Sequence, residues 1–419
     1  MTRRIVILGG GFSGLCAAQR LSHKSNEISI IDNYWLRNDK RRGIPQGNHL
    51  HVLLLEGQKL IETLFPGILK ELIAHGAQTV DWSKETSWHG PYGPYPQYSS
   101  SVKTLLFSRH LLDKLIYQRI RNCSSVRFIK GKVTDLVLKN KTLLSVQYRD
   151  ENNKIFHLDG DLFVEARGRG SNLTKLLANY SLQPKAKNIK NTIQYLSVRL
   201  PGQRVNLRNC KQFYFQTDAK KNPLGFVLSP IENDHFILTC ISTLKNKFKR
   251  IKNLPELISL YQNTGLDKLI DSKAEITNFN FFYDLTNQKK EYSSLSLYNL
   301  LVIGDALCYL NPVYGQGMTL ALKQVFAMSN ETNQSYLKQQ KKIEKQTRMP
   351  WLLATSEDLR WQKNKPLSAR FVNVVLSILL KSATRNKQIH HCFLKILHMT
   401  LSPYNLLNPR YYLFRKKIW

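Results

Sequence analysis

The hydrophobic pattern of this chain changes period several times. Residues 4–8 (RIVIL) are a short apolar run followed by three glycines, and residues 15–21 then carry the spacing of an amphipathic helix. A second apolar run, residues 28–31, ends in Asp32. Between residues 191 and 284 the period shortens to two. The stretches 192–200, 212–216, 225–228 and 235–241 alternate and predict antiparallel strands, with Pro201, Pro223 and Pro230 as breaks. Residues 300–303 are again a continuous apolar run. They end in Gly304-Asp305, and a loop holding Asn311-Pro312, Gly315 and Gly317 leads into a helical stretch at 318–328. Residues 82–98 (WSKETSWHGPYGPYPQY) fit neither a regular helix nor a central strand, being rich in Pro, Gly and aromatics. They form either an aromatic rim over a pocket or an ordered surface loop. The predicted class is α/β, with a Rossmann-like domain, a mostly antiparallel β-sheet domain and a helical C-terminal region.

Two of these segments carry chemistry. Gly9-Gly10-Gly11-Phe12-Ser13-Gly14 is a GxGxxG between a strand and a helix. In such a motif the first glycine makes the turn, the second lets a pyrophosphate approach and the third lets helix and strand pack closely. Asp32 follows Gly14 by eighteen residues, where an acid accepts the ribose hydroxyls of an adenosine. A strand ending in Gly304-Asp305 places one carboxylate at the carboxyl edge of a sheet, where open α/β folds bind ligands. Gly315 and Gly317 let backbone approach a flat ligand, and the N–H groups of the following helix meet it with positive partial charge. A flavin ring needs such a partner, because its reduced form is negative near N1 and O2.

Together these segments resemble the FAD-dependent monooxygenase superfamily of aromatic hydroxylases, squalene-epoxidase-like enzymes and their relatives. The resemblance covers roughly residues 3–360 and has further landmarks. Residues 160–171 (GDLFVEARGRGS) are similar to the family's strand followed by A-x-G-x-x-S. Phe107-Ser108-Arg109-His110-Leu111-Leu112 resembles the helix start whose arginine faces the flavin side chain. Residues 41–51 (RRGIPQGNHLH) resemble the GxPQxxHxH loop of a less characterised subgroup. The resemblance implies FAD as cofactor and an FAD-binding domain at 1–190, with 76–104 an insertion near the substrate side. It further implies a substrate domain at 191–294, a last FAD-binding segment at 295–335 and a basic helical region at 336–419. It assigns cofactor contacts to Gly9, Gly11, Phe12, Ser13, Gly14, Asp32, Arg109, Gly304, Asp305, Pro312, Gly315, Gln316, Gly317 and Met318. His49 and Pro312 are the candidates for a catalytic role. Arg41 and Arg42 either neutralise a phosphate or are solvated. One departure stands out: many single-component hydroxylases have Asp-Gly where this chain has Arg167-Gly168. That weakens direct NAD(P)H binding and leaves room for a separate reductase. The absence of W-x-W-x-I-P around Trp82 and Lys84 argues against halogenation.

Composition adds one surprise. Hydrophobic residues are 42% and charged residues 22%, as in ordinary globular chains, yet the formal net charge is +33. Residues 359–419 hold no Asp or Glu and twelve Lys and Arg. Within them residues 371–380 (FVNVVLSILL) are apolar, flanked by Arg370 and Lys381, and the chain ends YYLFRKKIW. Ten apolar residues are too few to span a bilayer, which takes about 20. Two readings stand side by side: apolar helix faces that cap the protein's own core, and basic amphipathic helices on an anionic membrane surface. No nucleic-acid module accompanies the charge. The six cysteines show no CxxC or metal-ligand spacing, His49 and His51 lack a third ligand, and no metal is expected. Cys16, beside Ala17 and Ala18 in the first helix, is expected in the core. A first strand that starts near Met1 leaves no signal peptide, so the expected location is the cytoplasm, at most peripheral to the inner face of a membrane.

The sequence therefore predicts a flavoenzyme that inserts one oxygen atom from O2 into an apolar organic substrate through a flavin C4a-hydroperoxide, by hydroxylation or epoxidation. Electrons come from NAD(P)H, directly or through a reductase. The alternatives are an isoprenoid reductase of geranylgeranyl-reductase type and a non-catalytic flavoprotein at a membrane.

Overall fold

A computed structural model describes residues 3–405 except 24, 35, 38–39, 42–46, 192, 219–221, 274–277, 284–285, 330–334, 361–365 and 404. For 36–37, 40–41 and 368 it describes the backbone only. Arg42 and the tail 406–419 lie outside the described residues, as does the side chain of Arg41.

The chain opens with β1 (Arg3–Leu8), α1 (Phe12–Leu21) and β2 (Asn26–Asp32). It then supplies β3 (Thr86–Gly90), α2 (Arg109–Arg121), β4 (Val126–Lys130) and β5 (Leu162–Glu165). Next come β6 (Gln194–Pro201), β7 (Gln212–Phe215), β8 (Leu224–Ile231), β9 (His235–Ser242), β10 (Asn280–Phe282) and β11 (Thr286–Glu291). The last elements are β12 (Leu300–Val302), β13 (Cys308–Tyr309) and α3 (Gly317–Phe326), then α4 (Tyr336–Gln346), α5 (Arg348–Leu359), α6 (Leu367–Ala383) and α7 (Lys387–Leu397).

Five strands form a parallel sheet in the order β12-β5-β1-β2-β4. Its central strands are apolar on both faces, as a sheet covered on both sides requires: every residue of β5 and β12 is buried, and in β1 only Arg4 is exposed. Helix α1 packs between this sheet and α2 and α3. Cys16 is fully buried there, as expected for a small apolar side chain.

The second sheet runs β10-β6-β9-β8-β7-β3, closed by a short pairing at Gly93–Pro94. Alternation divides its faces. Leu196, Val198, Phe226, Leu228, Leu238 and Cys240 face a separate core with Phe248, Leu254 and Tyr261. Tyr195, Tyr214, Val227, Thr239 and Ile241 face the other way, into a cavity.

Two local expectations change. Pro230 does not break a strand; it pairs with Phe236 inside the β8–β9 ladder. The β7 partner ends opposite Leu228, so Pro230 sits where β8 has no second neighbour to need its missing N–H. The aromatic segment likewise contains a strand: β3 runs parallel to β7, pairing Trp88 with Tyr214 and His89 with Phe215. Packing of its rings against the sheet and against α7 outweighs the local Pro and Gly content. Trp88 stacks on Tyr214 at 5.0 Å and lies 5.5 Å from Phe393, while Tyr95 stacks on His390 at 4.8 Å.

Candidate functional site

One cavity of about 930 Å3 runs from the glycine loop after β1 to the inner faces of the second sheet, α6 and α7. Its first end is built from close backbone approach. A side chain on Gly14 would put Cβ 1.8 Å from the carbonyl oxygen of Gly9, so the helix can meet the turn only with glycine there. The Gly10 N–H donates to Asp32 Oδ2 at 2.6 Å, and Tyr34 N–H donates to Oδ1 at 2.6 Å. Asp32 thus holds the loop that it closes. Asp32 also lines the cavity.

The Gly304-Asp305 segment abuts the same loop. Gly304 has φ +63, a left-handed conformation, and any Cβ there would lie 2.4 Å from Ser13 Oγ. Its N–H donates to buried Gln324 Oε1 of α3 at 2.6 Å. Asp305 is exposed within the cavity and surrounded by its walls. Burial pushes its carboxyl up to about 6, opposed by the charges of Arg109 and Arg169. Arg109 sits at the start of α2, its guanidinium 5.2 Å from the centre of the Phe12 ring and its Nε donating to Asp113 Oδ1 at 2.9 Å. Ser108 caps that helix, and the buried Glu232 accepts from both its N–H and its hydroxyl.

Residues 311–318 form the next part of the wall. Asn311 caps a short turn over Pro312–Tyr314, and Gly315 (φ +63) reverses the chain into α3. A Cβ on Gly317 would meet nothing within 4 Å, and Gln316 Oε1 is buried without a partner. Both leave capacity at the N-terminus of a helix, where N–H groups face outward.

What fastens this loop escaped sequence reasoning. Asp358 of α5 is fully buried and accepts hydrogen bonds from Asn191 Nδ2 (3.0 Å), Asn287 Nδ2 (2.5 Å), Asn311 Nδ2 (2.9 Å) and the Tyr314 hydroxyl (2.6 Å). Burial pushes its carboxyl above the usual range, while those four donors pull it back. Tyr195 of β6 donates in turn to Asn311 Oδ1. Helix α5, the second sheet and the loop at 311–314 are thereby locked together. No motif marks Asp358; its only signal is being the last acid in the chain.

His49 is brought to the middle of the cavity. Its Nδ1 lies 2.7 Å from Ser197 Oγ, which is 2.7 Å from Thr239 Oγ1, and burial lowers its pKa to about 4. It is neutral at pH 7. His51 lines the same wall. Arg167 and Arg169 also border the cavity: Arg167 is held on buried Glu165 and on Asn172 Oδ1, and Arg169 lies 4.7 Å over the Tyr309 ring. The far end is apolar, with Trp82, Trp88, Ile241, Leu376, Leu380 and Phe393 among its lining. Lys84 is exposed and lies outside the lining. Among the described residues no group of His, Cys, Asp or Glu is arranged to hold a metal, and no helix is long and apolar enough to cross a membrane.

The structure therefore brings Gly9, Gly11, Phe12, Ser13, Asp32, Arg109, Asp305, Pro312, Gly315, Gln316, Gly317, Met318 and His49 to one cavity. Gly14 and Gly304 act from just behind it.

No family model matches the chain. Protein Rv3254 of Mycobacterium tuberculosis is 22% identical over 343 residues, covering 76% of this chain and 70% of that protein. Squalene epoxidase 2, mitochondrial, of Arabidopsis thaliana is 21% identical over 336 residues, covering 77% of this chain. The chain spans about half the length of the plant protein, 53%. Among solved structures, the flavin-dependent brominase Bmp2 superposes with a TM-score of 0.73 at 15% identity over 100% of both chains. The tetrameric form of 2-methyl-3-hydroxypyridine-5-carboxylic acid oxygenase superposes with a TM-score of 0.63 at 15% identity, covering 88% of this chain and 95% of that one. The parallel sheet, the glycine loop, the Gly304-Asp305 segment and these superpositions agree: the chain has the fold of the FAD-dependent monooxygenase superfamily.

Proposed function

We propose that this chain is an FAD-dependent oxidoreductase, a monooxygenase that inserts one atom of O2 into an apolar organic substrate. The observation that carries this reading is one continuous cavity with two unlike ends. One end presents glycine backbone, the starts of α1 and α3, Arg109 and Asp305; the other is walled by aromatic and aliphatic side chains. Its volume, about 930 Å3, is at the large end for a small-molecule site.

The residues present fit FAD. Gly11 at the start of α1 would hold the pyrophosphate, and Asp32 the ribose hydroxyls. Arg109 would hold the pyrophosphate or the flavin side chain, and Asp305 the ribityl hydroxyls. Residues 312–318 would lie beside the ring, where the open space at Gly317 and the unpartnered Gln316 Oε1 are available to it. Bound FAD supplies the oxygen activation. The chain's own part is to bind, orient and keep water out. Ser197 fixes the neutral His49 ring against the sheet, so the ring meets the cavity as an uncharged hydrogen-bonding group. The apolar wall excludes water from the reacting end and selects a substrate of the same character. Arg167 faces the cavity with its charge already met by Glu165, which favours electron delivery by a reductase over direct binding of a second dinucleotide at that point.

The test is the absorption spectrum of the purified protein, followed through addition of NADH or NADPH in air. A bound-flavin spectrum that bleaches and recovers with oxygen uptake supports direct electron transfer from the nicotinamide. Flavin that stays oxidised until a reductase is added supports the two-component reading. A folded protein that takes up no FAD sinks both.

A further inference from the structure

We propose that the outward face of α6 lies on the surface of an anionic lipid bilayer. The helix is apolar around most of its circumference, which ordinarily marks a helix buried on all sides. Here only half is covered. Leu376, Leu379 and Leu380 turn inward and line the apolar end of the cavity. Leu367, Phe371, Val374 and Ile378 are 80%, 68%, 58% and 59% exposed. At about 100° per residue these four fall within an arc of roughly 60°, directly opposite the inward leucines. Large side chains scattered singly over a surface need no explanation, but a continuous stripe does. Leu352 on the adjoining α5 is exposed as well.

Charge identifies the occupant. Arg370 and Lys381 are exposed near the two ends of the stripe, on one flank, and Arg385 and Lys387 are exposed in and just after the turn to α7. Neither α6 nor α7 contains an Asp or Glu. A second copy packed antiparallel on the same face would set these cations against one another, and in either orientation neither helix has an acid to meet them. An anionic headgroup layer meets them all while the stripe enters the acyl boundary. Each cation close to such a surface strengthens partitioning about fivefold. The helix is too short to cross the bilayer and is suited to lie in its plane. Docked this way, the protein would set the apolar end of its cavity one helix thickness from lipid. The partner thus deepens the reading of an apolar substrate, although the docking itself rests on the exposed face alone.

The experiment is flotation of the full chain with vesicles of phosphatidylcholine and with vesicles of equal parts phosphatidylcholine and phosphatidylglycerol. The expected result is co-flotation with the second, at least tenfold stronger than with the first. F371E/V374E is expected to lower that binding at least tenfold, and R370E/K381E likewise. Circular dichroism and the thermal midpoint are expected to stay unchanged, since these positions are exposed. Absence of binding, equal binding to both vesicles, or undiminished binding by both folded variants overturns the proposal. So does a dimer in solution that either variant dissociates, which would give the face to a second copy. The assay needs neither flavin nor turnover. Vesicle binding by a chain that takes up no FAD would therefore uphold the docking while sinking the enzyme reading, and the reverse result would do the opposite.

Discussion

The two ends of the cavity are built on different principles. At the glycine-rich end the wall is mostly backbone drawn close by glycines: Gly14 against Gly9, and Gly304 against Ser13. At the apolar end the wall is side chains from segments far apart in sequence, held by ring packing between Trp88, Tyr214 and Phe393, while Asp358 fastens the loop at 311–314 between the two ends. The first design tolerates almost no change at a few positions. The second spreads its dependence over many.

Gly14→Val is therefore expected to have the largest effect of any single change. A Cβ 1.8 Å from the Gly9 oxygen forces backbone apart, well beyond the 1–3 kcal/mol typical of overpacking. We expect loss of soluble folded protein, read by expression and circular dichroism. Gly317→Ala sharpens the contrast, because its Cβ meets only open space. Its thermal midpoint should shift by the equivalent of under about 1 kcal/mol, while flavin retention on dilution falls about tenfold.

That difference also explains what the sequence made legible. The glycine turn after β1, the acid ending β2 and the Gly304-Asp305 turn are short motifs, so spacing marks Gly9, Gly11, Asp32 and Asp305, the family resemblance adds Arg109, and the fold brings all five to one cavity. The second sheet was legible from alternation as antiparallel strands, but which face meets the cavity came only with the structure. Asp358 was not, because its partners Asn191, Asn287, Asn311 and Tyr314 come from distant parts of the chain and no local pattern ties them together. The strand Thr86–Gly90 was hidden for the same reason: its stability comes from β7 and α7, not from its own Pro- and Gly-rich surroundings. Of the two readings of the carboxyl terminus, core capping is seen in α7 and the inner face of α6, while the outer face of α6 is bare.

Acid should separate the two ends next. Burial lowers the pKa of His390 to about 4 and of His398 to about 3, and the His398 Nδ1 accepts from the Leu55 N–H at 3.2 Å. His390 is packed on Tyr95 and Tyr98, with the His391 charge adding to the shift. The unfolded chain binds these protons near pH 6.5 and the folded chain does not, so stability is full above that pH and is lost as pH falls toward 4. At about 1.4 kcal/mol per pKa unit the loss is on the order of 3 kcal/mol per histidine. Hydrogen exchange at pH 4.5 should show α7 opening before the parallel sheet. Simultaneous opening of both would mean that the ends are not separate.

Asp358→Ala should cost less, about 3 kcal/mol in thermal unfolding, by leaving four donors without an acceptor. Asp358→Asn should recover little, because its amide presents a donor to groups that are already donors. If Asp358 acts through the loop at 311–314, both variants should also shift the visible spectrum of bound flavin. Unfolding without a spectral shift would confine Asp358 to the fold.

The smallest expected effect tests the glycine-rich end by pH. Asp305 is raised to about 6, so in the ligand-free protein its ionisation lowers stability as pH rises from about 4 to 6. Hydroxyl groups of a bound ribityl chain donate to the ionised form and favour it. FAD binding should then release a proton near pH 5.5 and weaken about tenfold between pH 7 and pH 5. Asp305→Asn should bind about tenfold more weakly at pH 7, ~1.4 kcal/mol, with a flat profile over that range. His49, lowered to about 4 by burial, titrates below the window and cannot mimic the effect. A wild-type profile as flat as that of the variant would remove Asp305 from the ribityl contact and leave Arg109 and the glycine loop to hold the cofactor.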